Sequence, residues 1–165
     1  MSEILISHPE VNQDFQRNYS YRDGWARDMM PVVLRELGIS PASHPNAIEL
    51  FAGDGSWARM LVDNGWNEES LTCIDMRKSP TPLVPKADWL YWDLSQLARA
   101  LLEHSDLPPE AASLQGKFNL VYSFYGDQSM AAEDALGSFF VSPGGIVFNQ
   151  CTEPGEKYFP YLSAS

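Results

Sequence analysis

Basic residues are scarce. Eleven lysines and arginines stand against 22 aspartates and glutamates, a formal net charge of −11. A surface with that excess repels phosphate backbones unless a focused basic patch overrides it, and Arg22, Arg27, Arg77 and Lys78 are too scattered to promise one. Nucleic acid is therefore disfavoured as a partner, and a small molecule or a protein is expected. Cysteine is scarcer still. Cys73 and Cys151 each lie in or beside an apolar run and outside any paired or metal-binding spacing, so they read as free structural thiols and no metal site is expected. Long apolar runs are missing too: none reaches the ~18 residues of a membrane span. Met1 to Pro9 also lacks a basic segment followed by an apolar stretch. The expectation is a soluble, cytoplasmic protein with no membrane partner.

What is present suffices for one core. A chain of 165 residues with 44% hydrophobic and 20% charged residues fits neither disorder nor low complexity. A domain of such length buries roughly 70% of the surface its unfolded form exposes. Residues 1–165 read as a single domain: 1–46 an N-terminal helical segment able to lid a site, 47–150 the core, and 151–165 a tail. Trp25, Met29, Met30, Val33, Leu34 and Leu37 recur at helical spacing before Gly38, with Pro31 either kinking the helix or sitting in its first turn.

Beyond the linker Ser40 to Asn46, short apolar runs alternate with helical stretches. Ala47 to Phe51, Leu71 to Ile74, Trp89 to Trp92, Phe118 to Ser123 and Ile146 to Asn149 read as five strands. Ser56 to Asn64, Leu94 to Glu103 and Ser129 to Phe140 read as helices. Pro80, Pro82 and Pro85 make one connection irregular, Pro108 and Pro109 mark a polar loop, and Pro143-Gly144-Gly145 turns the last helix into the fifth strand. This alternation implies an α/β three-layer sandwich, a parallel sheet with helices on both faces and right-handed crossovers.

Ligands of such a sheet bind outside the carboxyl ends of its strands, beside the first one. There the chain reads Glu49-Leu50-Phe51-Ala52-Gly53-Asp54-Gly55-Ser56-Trp57-Ala58. Gly53 and Gly55 let the backbone bend sharply and a ligand approach the main chain, and amides at the start of the following helix suit a carboxylate. Taken alone, a glycine pair is as readily a plain turn. Asp75 ends the second strand 20 positions after Gly55, where an acid can accept both hydroxyl hydrogens of a ribose, and Asp93 ends the third.

From Ala47 to Gln150 these landmarks, with Lys117-Phe118-Asn119-Leu120-Val121 and Ser142-Pro143-Gly144-Gly145-Ile146-Val147, follow in the order that resembles class I S-adenosylmethionine-dependent methyltransferases. The resemblance implies a mostly parallel Rossmann-like sheet in the order 3-2-1-4-5, S-adenosylmethionine as cofactor, and methyl transfer to a small molecule or protein. It implies that Gly53 and Gly55 lie against the methionine part and that Asp75 holds the ribose. Asp93 would accept from the adenine amino group, Glu49 would face the ammonium, and Met76 and Leu94 would sandwich the adenine. Phe51, Asp54 and Ser123, at the strand ends, complete the expected binding set. Asp127, as base, and Tyr125, against cofactor or acceptor, are the catalytic candidates in the loop after the fourth strand. His8 is a second base candidate that reads more simply as a surface histidine, and Phe15, Tyr19, Tyr21 and Trp25 could lid the pocket.

Two other classes stay open: a non-catalytic S-adenosylmethionine-binding or interaction module, and an NAD-dependent oxidoreductase. Gly53-x-Gly55-x-x-Ala58 satisfies the dinucleotide pattern as well. Charge separates the ligands, because Asp54 would repel a pyrophosphate, whereas Glu49, Asp54, Asp75 and Asp93 suit a molecule carrying a sulfonium and an ammonium against one carboxylate. The chain also departs from the pattern it resembles. Phe51 stands where the first glycine of the loop is usual, Tyr122-Ser123-Phe124-Tyr125 lacks the Asn/Asp-Pro-Pro-aromatic sequence of nucleic-acid amino-methylating enzymes, and the last 15 residues are too few for the usual final helix and two strands. A sheet that stopped at five strands would leave an open edge, to be covered by Tyr158, Phe159, Tyr161 and Leu162, by a second subunit or by a partner.

Overall fold

The computed structural model describes residues 3–14, 28–123, 129–151 and 159–164. Its framework is one six-stranded sheet in the order β3-β2-β1-β4-β5-β6. The strands are β1 (Ala47–Leu50), β2 (Leu71–Asp75), β3 (Asp88–Tyr91), β4 (Phe118–Ser123), β5 (Val141–Cys151) and β6 (Phe159–Ala164). The first five are parallel neighbours, in the expected order 3-2-1-4-5. All four residues of β1 are buried, which requires cover on both sheet faces.

Side-chain alternation divides the core in two. Ala47, Cys73, Leu120 and Tyr122 face α1 (Met30–Glu36) and α2 (Ser56–Asp63), which contribute Met30, Leu34, Trp57 and Leu61. Ile48, Leu50, Ile74 and Val121 face α3 (Leu94–Leu102), α4 (Pro109–Ala112) and α5 (Met130–Phe140), which contribute Leu97, Ala111, Leu136 and Phe140. Pro31 sits in the first turn of α1, where its missing N–H costs nothing; the Trp25 end of that expected helix lies outside the described residues. Pro109 likewise opens α4, a helix where the sequence reads as loop. No helix replaces the irregular run between β2 and β3; instead Val84 from it is fully buried against the first face.

The Pro143-Gly144-Gly145 turn lies inside β5 rather than before it. Phe118 pairs with Val141 and Leu120 with Ile146, so residues 142–145 bulge opposite Asn119 alone. A Cβ on Gly145 would stand 2.7 Å from Val141 Cγ2 and 3.1 Å from the Asn119 carbonyl, so glycine is required there. Beyond β5 the tail supplies a sixth strand, antiparallel, with Ile146 opposite Ala164 and Cys151 opposite Phe159. The tail thus covers the edge that five strands would leave open, and Pro160 suits the outermost position because an edge strand need not donate on its outer side. Among the described residues no helix is long and apolar enough to cross a membrane.

Candidate functional site

The carboxyl ends of β1 and β2 are tied by the loop after β1. The Ala52 amide donates to the Ile74 carbonyl at 2.9 Å, and the Gly53 amide donates to Asp75 Oδ2 at 2.8 Å. To run this way the loop takes positive φ at three alternate positions, Phe51 (54°), Gly53 (61°) and Gly55 (90°). Phe51 therefore holds the backbone form expected of the missing glycine, at the strain cost a bulky residue carries there, and its ring packs with the second core.

The side-chain direction of Gly55 is occupied. A Cβ there would meet Val84 Cγ2 at 2.9 Å and the Trp89 ring at 3.2 Å, so its missing side chain admits the β2–β3 connection rather than a methionine moiety. Two acids of the loop are also turned inward. Glu49 is 2% exposed and its Oε2 accepts the Ala58 amide at 3.0 Å, capping the first turn of α2 in place of a ligand carboxylate. Asp54 is buried, its Oδ1 accepting from Ser56 Oγ at 2.8 Å and its carbonyl from the Leu83 amide.

Asp75 is placed as expected, at the tip of β2 beside the loop. Burial raises its pKa, and the Arg77, Gly53 and Met76 amides pull it partly back by favouring the carboxylate. Oδ1 accepts from Arg77 N at 3.0 Å and Oδ2 from Gly53 N at 2.8 Å, and the Met76 amide also favours the carboxylate. The carboxylate retains acceptor capacity beyond these backbone donors, as a ribose hydroxyl needs. Met76, next in sequence, is 46% exposed and can lie against a ring. Asp93, at the end of β3, spends Oδ1 on the Ser95 and Gln96 amides as the N-cap of α3. Leu94 is buried in the second core, so the expected two-sided clamp on an adenine has one free jaw, Met76.

Over this corner runs an N-terminal strap, extended rather than helical, within the segment expected to lid the site. Ile6 N donates to Tyr91 O, Asp93 N to Ile4 O, Lys78 N to Glu10 O and Asn12 N to Lys78 O, all between 2.7 and 3.0 Å. Residues 4–12 thereby cross from the end of β3 to the loop after β2. His8 lies on the strap and is exposed.

The end of β4 holds a pair that sequence reasoning half missed. Ser123 is fully buried beside Leu50, the last residue of β1, and its hydroxyl donates to Glu133 Oε2 on the first turn of α5 at 2.6 Å. Glu133 is itself 0% exposed, and among the described residues its Oε1 has no hydrogen-bond partner. Burial, aided by the Asp134 charge and opposed by the Ser123 hydroxyl, pushes its pKa up to about 7. A signal was there: Glu133 shares a helical stripe with Leu136, Gly137 and Phe140, all buried. On the opposite face Trp57 and Tyr122 stack with centroids 4.3 Å apart and planes 5° from parallel. Asp127 and Tyr125 lie outside the described residues, as do Phe15, Tyr19, Tyr21 and Trp25.

No family model matches the chain, and no curated protein does. Solved structures similar to it include an S-adenosyl-L-methionine-dependent methyltransferase described as a candidate one, from Methanococcus maripaludis, 11% identical over 87% of this chain and 67% of that one, with a TM-score of 0.48. An O-methyltransferase family protein from Burkholderia thailandensis is 17% identical over 84% of this chain and 44% of its own length, with a TM-score of 0.47. The 1,6-didemethyltoxoflavin-N1-methyltransferase of the same organism, solved with 1,6-didemethyltoxoflavin and S-adenosylhomocysteine, is 18% identical over 92% of this chain and 68% of that one, at 0.49. The chain thus spans under half the length of the second of these.

Proposed function

We propose that the chain binds S-adenosylmethionine at the carboxyl ends of β1, β2 and β4 and transfers its methyl group to a small molecule or protein. The observation that carries this reading is Asp75: a mostly buried carboxylate at the tip of β2, anchored to the glycine-loop backbone through Oδ2 and to Arg77 N through Oδ1. That anchoring fixes the carboxylate's orientation and leaves it acceptor capacity for a ribose hydroxyl.

Charge selects between ligands that share a ribose. Glu49, Asp54 and Asp75 gather at the carboxyl ends of β1 and β2, and each is partly or wholly buried. A pyrophosphate would meet this set with repulsion, whereas a ligand bearing a sulfonium and an ammonium is attracted. This favours the methyl donor over a nicotinamide dinucleotide.

The bound donor supplies a methyl group already activated by its sulfonium, so the chain's work is to bind, orient and exclude water. Asp75 would orient the ribose and Met76 would lie on the adenine, while the strap over the ends of β2 and β3 limits water at that corner. Asp127 and Tyr125 remain the candidates to meet the acceptor. Calorimetry with S-adenosylmethionine and NAD tests the reading: Asp75→Ala should weaken binding of the methyl donor by ~1 to 3 kcal/mol. Unchanged affinity, or tighter binding of NAD, would remove Asp75 and this ligand from the site. A methyl-release assay across acceptor classes separates catalysis from binding alone.

A further inference from the structure

A second acid at the same end of the sheet has no role in holding the donor, and its surroundings are unusual. Glu133 is fully buried; Oε2 is held by Ser123 and Oε1 meets no donor among the described residues. Among the described residues, the elements packed on α5 offer it no compensating charge. Leu94 and Leu97 come from α3, Val121 from β4 and Val147 from β5, and α5 itself adds Asp134, a further negative charge. A carboxylate so placed loses its hydration and recovers one hydrogen bond, so it keeps its proton to higher pH than an exposed acid. Yet its bonding partner, Ser123, closes the strand beside the end of β1, where the proposed ligand would bring positive charge. A positive charge brought to that strand end favours the ionised acid.

We propose that Glu133 is a ligand-linked acid: it holds a proton while the crevice is empty, with Ser123 donating to Oε2, and releases that proton to solvent when a sulfonium-bearing ligand binds. This rests on the donor reading above. The linkage is reciprocal, so raising the pH strengthens binding of the cation, and the uncharged thioether product draws the proton back. Ser123 acts here as a positioning residue, its hydroxyl orienting toward whichever form the acid takes.

The test is calorimetry at pH 7 in two buffers of different ionisation enthalpy, with S-adenosylmethionine and with S-adenosylhomocysteine. An acid half-protonated at that pH should release ~0.5 proton per sulfonium ligand and much less per thioether. Glu133→Gln should bind both while releasing no proton in excess of the thioether value. Carbon-13 NMR of the Glu133 carboxyl in the unaltered protein serves should that variant fold poorly: its signal should titrate near neutral pH and move to the ionised position on addition of S-adenosylmethionine. Equal proton release with both ligands, release that survives Glu133→Gln, or a signal titrating in the ordinary carboxylate range would overturn the proposal while leaving the donor reading intact. Failure of both ligands to bind would overturn the donor reading and this linkage with it.

Discussion

Replacing Glu133 with glutamine should flatten the dependence of stability on pH, independently of any ligand. In the folded protein the carboxyl is raised from 4.5 to about 7, while the unfolded chain releases its proton near the ordinary value. Between those two values the folded state therefore binds more protons than the unfolded one, so stability falls as pH rises. The contribution is full below 4.5, declines through the interval, and is gone above about 7. At ~1.36 kcal/mol per pH unit, the interval is worth about 3 kcal/mol. Glutamine keeps an oxygen for the Ser123 hydroxyl and cannot titrate, but places a buried amide donor where Oε1 has no partner, at a cost of about 1 to 3 kcal/mol. The variant should thus be the weaker protein at pH 4 and the equal or stronger one at pH 8. Urea unfolding of both across that range measures the difference directly. Curves that run parallel, with no closing gap of the order of 3 kcal/mol, would refute the burial argument, because Glu133 would then be ionised and compensated by a group not considered above.

The glycines make a matched pair: Gly55→Ala meets both a strained φ and Val84 at 2.9 Å, whereas Gly38→Ala meets a strained φ and open space. The first should cost ~2 to 4 kcal/mol and the second ~1, by thermal unfolding; equal losses would mean that Val84 and Trp89 yield. Removing residues 156–165 deletes β6 and bares the β5 edge, so the melting temperature should drop and light scattering should report self-association; a stable, monodisperse remnant would show that β6 covers nothing that needs cover. Asp93→Ala should cost about 1 kcal/mol through the lost cap on α3. If Asp93 instead serves the ligand, that variant should lose affinity with little change in melting.

The five parallel strands were legible because each is an apolar run between glycine or proline breaks, and because parallel order follows from alternation with helices. Asp75 could be placed from spacing alone, since a strand tip beside a glycine turn is a position that local sequence specifies. What the chain could not announce is which atoms those residues spend on the protein itself. Gly55 reads as a ligand contact until Val84, 29 positions on, fills its space; Glu49 reads as a ligand acid until Ala58 claims its oxygen; Asp93 reads likewise until the first turn of α3 takes it. Each of these competing partners is chosen by the path of the backbone after β1, β2 or β3, and such paths depend on packing across the sheet. The strap of residues 4–12, the antiparallel β6 and the Glu133–Ser123 pair are long-range or cross-element pairings of the same kind. Residue type and period decide which segments become strands and helices; tertiary packing decides which of the acids remain free to meet a ligand.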